Sequence, residues 1–229
     1  MHMFTIDNGD AYVVGSQTGD HWYLYQTGSV LKHLRSSSNS DFRSSCPNCP
    51  DDTLEIIMTC LDTSSAKKFH LNPDTVPGHE YGAALAETCG LNDIFPVSSH
   101  LRCIDAYAFS PCGFSANVVV GDPDGDRKSG LYFTVHVTPE EGCSYASFGT
   151  NVPGSMFSGR ETGEVVSRVV GTFLPESVCI IQFISHRNIN WDWTIDGYCR
   201  NEKVVYEFDG YNFVFASFFV HATLRTPPE

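Results

Sequence analysis

The sequence predicts an α+β fold, an antiparallel β-sheet with helices on one face. Three observations carry that prediction. Short runs rich in Val, Ile, Phe and Tyr recur along the 229 residues, set apart by turn residues. In the clearest pair of runs, apolar and polar residues alternate with the period of a strand. Helical periodicity is confined to a few segments between groups of strands, which suits helices segregated from the sheet rather than alternating with its strands. With 41% hydrophobic and 13% aromatic residues, the chain can bury a sizeable core, and a single domain over residues 1–229 is expected.

The elements follow in order. Residues 11–14 (AYVV) and 21–25 (HWYLY) flank a polar turn and read as a hairpin, which needs a further partner because two strands alone are marginal. Residues 27–50 are rich in Ser and Asn and read as an exposed loop insertion. This stretch contains Cys46-Pro-Asn-Cys49, but no second cysteine pair follows at a spacing suited to zinc. Behind the acidic turn Asp51-Asp52-Thr53, Leu54, Ile57, Met58 and Leu61 recur at helical spacing, so a helix is expected there. Further helices are expected from Glu80 to Cys89, closed by Gly90, and from Gly163 to Phe173, stopped by Pro175. Strands are expected at 101–109, 114–121, 130–138, 143–150, 178–184, 203–208 and 211–219.

The formal net charge is -13, and the longest basic cluster is the pair Lys67-Lys68. Nucleic acid and anionic membranes select positive patches, so neither is an expected partner, whereas a small cation suits the field. Phe213 to Val220, the longest apolar stretch, falls far short of the ~20 residues that span a bilayer. The opening MHMFTIDNGD has neither the basic segment nor the apolar core of a secretory leader. A cytoplasmic, reducing setting with unbridged thiols is therefore expected for the nine cysteines.

The pair of runs at 114–121 and 130–138 can be aligned in detail. With Gly121 and Gly130 closing the loop between them, Val119 faces Tyr132, Asn117 faces Thr134, and Ser115 faces His136. Opposed Cβ atoms in such a pair lie roughly 4.5–5.5 Å apart, so the Ser115 hydroxyl can meet the His136 imidazole. Ala116, Val118, Val120, Phe133, Val135 and Val137 form the other, wholly apolar face, which should lie under helices. The polar face suits either open solvent, as antiparallel sheets often have, or a functional site. No Gly-x-Ser-x-Gly elbow accompanies the serine, so a hydrolase triad is not indicated.

Phe109-Ser-Pro-Cys-Gly-Phe-Ser-Ala-Asn117, Tyr132-Phe-Thr-Val-His-Val-Thr-Pro-Glu140 and Cys143-Ser-Tyr-Ala-Ser-Phe148 resemble the central signature of the eukaryotic S-adenosylmethionine decarboxylases, with wording nearest to the fungal branch. Gly9 to Tyr25, Asp51 to Met58 and Tyr211 to Phe218 agree in the same order. The resemblance covers nearly all of this chain but only the C-terminal portion of the family's chain. It implies one half, with additions, of a four-layer αββα sandwich. It also implies a pyruvoyl enzyme that decarboxylates S-adenosylmethionine for spermidine and spermine synthesis. By the same resemblance, Ser115 and His136 assist self-cleavage of a proenzyme, Phe109 stacks on the adenine, and Glu140 holds the ribose hydroxyls. Asp51, Thr53, Glu55, Phe183 and Tyr211 match residues around putrescine, an activator of some members.

Two departures stand out. The family's self-cleavage motif Leu-Ser-Glu-Ser-Ser, whose serine becomes the pyruvoyl group, has no counterpart here, and Glu176-Ser177 follows the third expected helix instead. Gly149 stands where the family usually has a glutamate, which weakens the expectation of putrescine activation. The expectation is thus a decarboxylase chain that lacks the pyruvoyl-forming half. Its partner would be that half, a full-length paralogue, or a second copy in a homodimer. The alternative is a catalytically inactive relative that regulates a full-length decarboxylase.

Overall fold

The computed structural model describes residues 8–15, 18, 21–28, 52–94, 102–121, 130–152, 161–185, 194–208 and 211–221. The chain divides into two compact units, Met1–Pro50 and Asp51–Glu229. In the first, β1 (Asn8–Gly15) and β2 (His21–Gly28) form an antiparallel hairpin in which Ala11 faces Tyr25 and Val13 faces Tyr23. Most of the stretch read as a loop insertion, with Cys46 and Cys49, lies outside the described residues, as does Asp51.

The second unit is built on one eight-stranded antiparallel sheet. Its strands are β3 (Thr53–Thr59), β4 (Arg102–Ala108), β5 (Phe114–Val120), β6 (Leu131–Thr138), β7 (Tyr145–Thr150), β8 (Ser177–Ser185), β9 (Tyr198–Phe208) and β10 (Tyr211–Val220). They lie in the order β4-β5-β6-β7-β3-β8-β10-β9. The helices are α1 (Thr63–Lys67), α2 (His79–Thr88), α3 (Leu91–Ile94) and α4 (Thr162–Phe173).

The expected helix at 51–61 is a strand. Its apolar residues satisfy a helical spacing, but the sheet buries Leu54, Ile56 and Met58 at period two and leaves Glu55 and Thr59 exposed. Because β3 is flanked by β7 and β8, both rows of its backbone groups are paired, and those ladders override the local periodicity. A short helix, α1, begins just beyond, where the Asp62 carboxylate accepts from the Ser64 and Ser65 N–H groups at 2.9 and 3.0 Å.

The two longer helices fall where periodicity places them. In α4, Val165, Val166, Val169, Val170 and Phe173 are all buried. Four of these five residues are β-branched and poor helix formers, so packing rather than propensity holds this helix. The helix ends at Leu174 in a left-handed conformation, with its N–H donating to the Val170 carbonyl at 2.8 Å. Phe173 stacks on Phe69 at 5.9 Å between ring centroids, and Phe69 in turn meets Phe114 at 5.6 Å. Ile56, Met58, Ala116, Val118, Val135, Phe148 and Ile180 join this core from the sheet.

Helix α2 runs against edge strand β4. A Cβ at Gly82 would lie 2.6 Å from the Tyr107 amide nitrogen, so only glycine lets helix and strand backbones come this close. Just before the helix, Gly78 bridges Ala108 through two backbone hydrogen bonds, which covers the end of that edge.

Candidate active site

The face of the sheet opposite the helices carries the polar residues. The β5–β6 register is the one the loop glycines predict: Val119 opposite Tyr132, Asn117 opposite Thr134, and Ser115 opposite His136. Ala116, Val118, Val120, Phe133, Val135 and Val137 are each at most 3% exposed. On the other side Val119 is 56% and Tyr132 38% exposed. One face is therefore sealed and the other is open over these strands.

Ser115 Oγ and His136 Nδ1 are 3.0 Å apart, a hydrogen bond whose donor is set by the imidazole tautomer. The pair belongs to a row across four strands, Tyr107–Ser115–His136–Ser147. Phe109 follows the end of β4 and Glu140 follows the end of β6, so both stand at the end of the sheet where β5 begins. The segments that carry them are tied together. Phe109 N–H donates to the Gly113 carbonyl at 2.9 Å, and Leu71 N–H to Pro111 at 3.0 Å. His70 Nε2 lies 3.3 Å from the Pro139 carbonyl oxygen. Within this loop, burial pushes the Cys112 thiol pKa up, and the nearby Glu140 carboxylate adds to the shift. Such a thiol is poorly disposed to act as a nucleophile. The structure thus brings Phe109, Ser115, His136 and Glu140 to one end of one sheet.

Of the residues matched to a diamine site, Thr53, Glu55, Phe183 and Tyr211 lie farther along. Thr53 pairs with Phe183 across β3–β8, and Phe183 pairs with Phe213, the two rings lying 5.1 Å apart edge to face. Tyr211 opens β10, opposite Ser185. Glu55 pairs with Gly149 on one side and Ile181 on the other. Because β3 is a strand, residues two apart on it share a face, which places Thr53 and Glu55 side by side without a helical turn. The Glu55 side chain folds over Gly149, where a Cβ would lie 2.5 Å from Oε1. Although Glu55 reaches solvent, the partial burial of its carboxyl raises the pKa above the ordinary 4.5.

Two features lie beyond what the sequence motifs name. Tyr107 and His79 form a ring series with Phe109, and the Glu55 carboxyl seats on Gly149. Neither leaves a motif, because each depends on how strands or helices far apart in sequence are registered. Among the described residues, no cluster of three or more His, Cys, Asp or Glu could hold a metal ion. No described helix is long and apolar enough to cross a membrane.

An open polar sheet face with a serine–histidine pair, backed by helices, defines an α+β protein with a site built on its sheet. The chain belongs to the adenosylmethionine decarboxylase family, whose sequence model matches residues 2–219. It is 31% identical over 216 residues to the S-adenosylmethionine decarboxylase proenzyme of Xenopus laevis, covering 92% of this chain and 55% of that one. To the proenzyme of Saccharomyces cerevisiae it is 28% identical over 230 residues, covering 90% and 54% respectively. The chain therefore spans about half the length of the curated relatives it matches. In fold it is similar to the crystal structure of a Trypanosoma brucei AdoMetDC-delta26 monomer, with a TM-score of 0.61 at 22% identity, over 94% of this chain and 73% of that one.

Proposed function

We propose that this chain supplies one side of the active site of a pyruvoyl-dependent S-adenosylmethionine decarboxylase, which makes the aminopropyl donor for spermidine and spermine. The observation that carries the reading is the 3.0 Å Ser115–His136 contact, at the same end of the sheet as Phe109 and Glu140. Phe109, 45% exposed, offers a flat apolar surface to the adenine. The Glu140 carboxylate accepts hydrogen bonds from the ribose hydroxyls. In self-cleavage of the proenzyme, His136 moves a proton to or from Ser115 Oγ at the ester stage, a task suited to an imidazole near neutral pH.

The pyruvoyl group, derived from a serine outside these 229 residues, supplies the electron sink for loss of CO₂ when it is present. The residues here fit such a group, since a hydroxyl and an imidazole at hydrogen-bond distance reach the open side of the sheet. S-adenosylmethionine is a cation, which agrees with the net charge of -13. Asp51, Thr53, Glu55, Phe183 and Tyr211 would surround putrescine. With glycine at 149, the site lacks the glutamate that the family usually sets beside Glu55, and a weak response to the diamine is expected. The chain would work in the cytoplasm with the pyruvoyl-forming half or a full-length paralogue.

The test is to incubate the chain with carboxyl-labelled S-adenosylmethionine, alone and with the N-terminal half of a relative supplied in trans. Labelled CO₂ is expected in the supplemented reaction, and none in either would overturn the proposal. A second reading rests on Gly149, where the family usually has a glutamate, and suits a non-catalytic partner of a full-length decarboxylase. That reading requires the chain to capture such an enzyme in a pull-down and to change its rate.

A further inference from the structure

Beside the serine–histidine pair lies a series of three rings that no sequence motif marks. Tyr107 is on β4, directly opposite Ser115. Its ring meets Phe109 at 4.7 Å between centroids, tilted by 48°, and meets His79 at 4.9 Å, edge to face at 87°. Both distances fall in the range where aromatic pairs attract. His79, in the first turn of α2, is anchored in turn, its Nδ1 lying 3.1 Å from the Ala106 carbonyl oxygen and 3.0 Å from Asp105 Oδ1. The series therefore runs from a helix turn fixed on the strand to a ring that stands in solvent.

Phe109 needs such a brace. It lies beyond the last residue of β4 and is 45% exposed, so close packing does not fix its rotamer. Its backbone is held through Gly113, which has a φ of 114° and leaves its own Cβ position 3.6 Å from Phe109 Cβ. Backbone anchoring fixes where the side chain starts but leaves χ1 and χ2 free. Tyr107, two residues earlier on the same side of the strand, limits that freedom.

We propose that Tyr107 is a positioning residue: its ring, steadied by His79, holds the Phe109 ring in the orientation that stacks on a purine. This inference rests on the reading that Phe109 meets the adenine of the substrate. Pre-ordering an exposed ring raises affinity by lowering the entropy lost on binding. The effect falls on recognition of the planar heterocycle and leaves the proton transfer at Ser115 and His136 alone.

The experiment measures adenosine binding by calorimetry for the full chain with the complementing half, and KM and kcat for S-adenosylmethionine. Phe109→Ala tests the underlying reading, and Tyr107→Leu and Tyr107→Phe test the inference. Tyr107→Leu keeps an apolar side chain but removes the ring, and is expected to raise the adenosine Kd and the KM about two- to tenfold with kcat unchanged. Tyr107→Phe keeps the ring and is expected to restore both. If Phe109→Ala leaves adenosine binding intact, or the parent protein binds no adenosine, the reading fails and the inference with it. If Phe109→Ala weakens binding while Tyr107→Leu does not, or if Tyr107→Phe is as impaired as Tyr107→Leu, the inference alone is overturned.

Discussion

Glu55 folds its carboxyl over the α-carbon of Gly149, and the loss of water there raises its pKa from 4.5. The folded chain therefore favours the protonated acid more than the unfolded chain does. That contribution is fully present below the unfolded value and is lost as pH rises through the raised folded one. Melting temperatures across a pH series check this: Glu55→Gln should match the parent near pH ~4 and exceed it near pH ~7. Gly149→Ala would set a Cβ 2.5 Å from Oε1, at the free end of a flexible side chain, so the carboxyl should swing into water. In that background the pH-dependent benefit of Glu55→Gln should vanish. For His136, whose Nδ1 lies 3.0 Å from Ser115 Oγ, replacement by Ala should slow self-cleavage of the half supplied in trans about 10²–10⁴-fold, read as the two cleavage products on a gel. Adding Ser115→Ala to that variant should cost little more, because paired groups act as a unit.

Helix α2 depends on the absence of a side chain at Gly82. A Cβ there would meet backbone atoms of Ala106 and Tyr107 at 2.6–2.7 Å, and these have no freedom to move aside. Gly82→Ala should therefore destabilise the fold by about 1–3 kcal/mol, measured by urea titration, despite the better helix propensity of alanine. At the end of α4 the opposite change should help. Leu174 has a φ of 46° and is 53% exposed, so it bears left-handed strain with little burial in return. Leu174→Gly should stabilise by about 0.5–1 kcal/mol, a rise of roughly 1–4 °C in Tm. The elements differ in how far they could be read from sequence. The β5–β6 register was legible because both strands alternate and glycines bound their loop, and it placed Ser115 against His136. Helices α2 and α4 were legible from their periodicity and stop signals. Strand β3 was not, because Leu54, Ile57, Met58 and Leu61 fit a helix equally well, and the deciding partners β7 and β8 come much later in the chain. The Tyr107 ring series was hidden for the same reason, since it needs α2 docked on β4.

At the scale of the whole chain, 27 acidic residues oppose 14 basic ones. Like charges at the surface repel, and salt screens them. Raising sodium chloride from about 0.02 M to about 1 M, where the screening length falls to roughly 3 Å, should therefore raise Tm. An unchanged or lower Tm would show that local ion pairs, such as Arg168–Glu164 at 3.4 Å, outweigh the net repulsion. The order β4-β5-β6-β7-β3-β8-β10-β9 has a consequence of a different kind. Strands β4 to β7 can pair with their chain neighbours as they leave the ribosome, and so can β9 and β10, whereas β8 pairs with β10 and waits for it. Strand β3 is made before all of them and joins the two groups. It must wait, with Leu54, Ile56 and Met58 uncovered, until both sides exist. Sheet closure is thus a late, long-range step in synthesis, and the residues most exposed to chaperones and misassembly during that wait are the ones that end at the centre of the sheet.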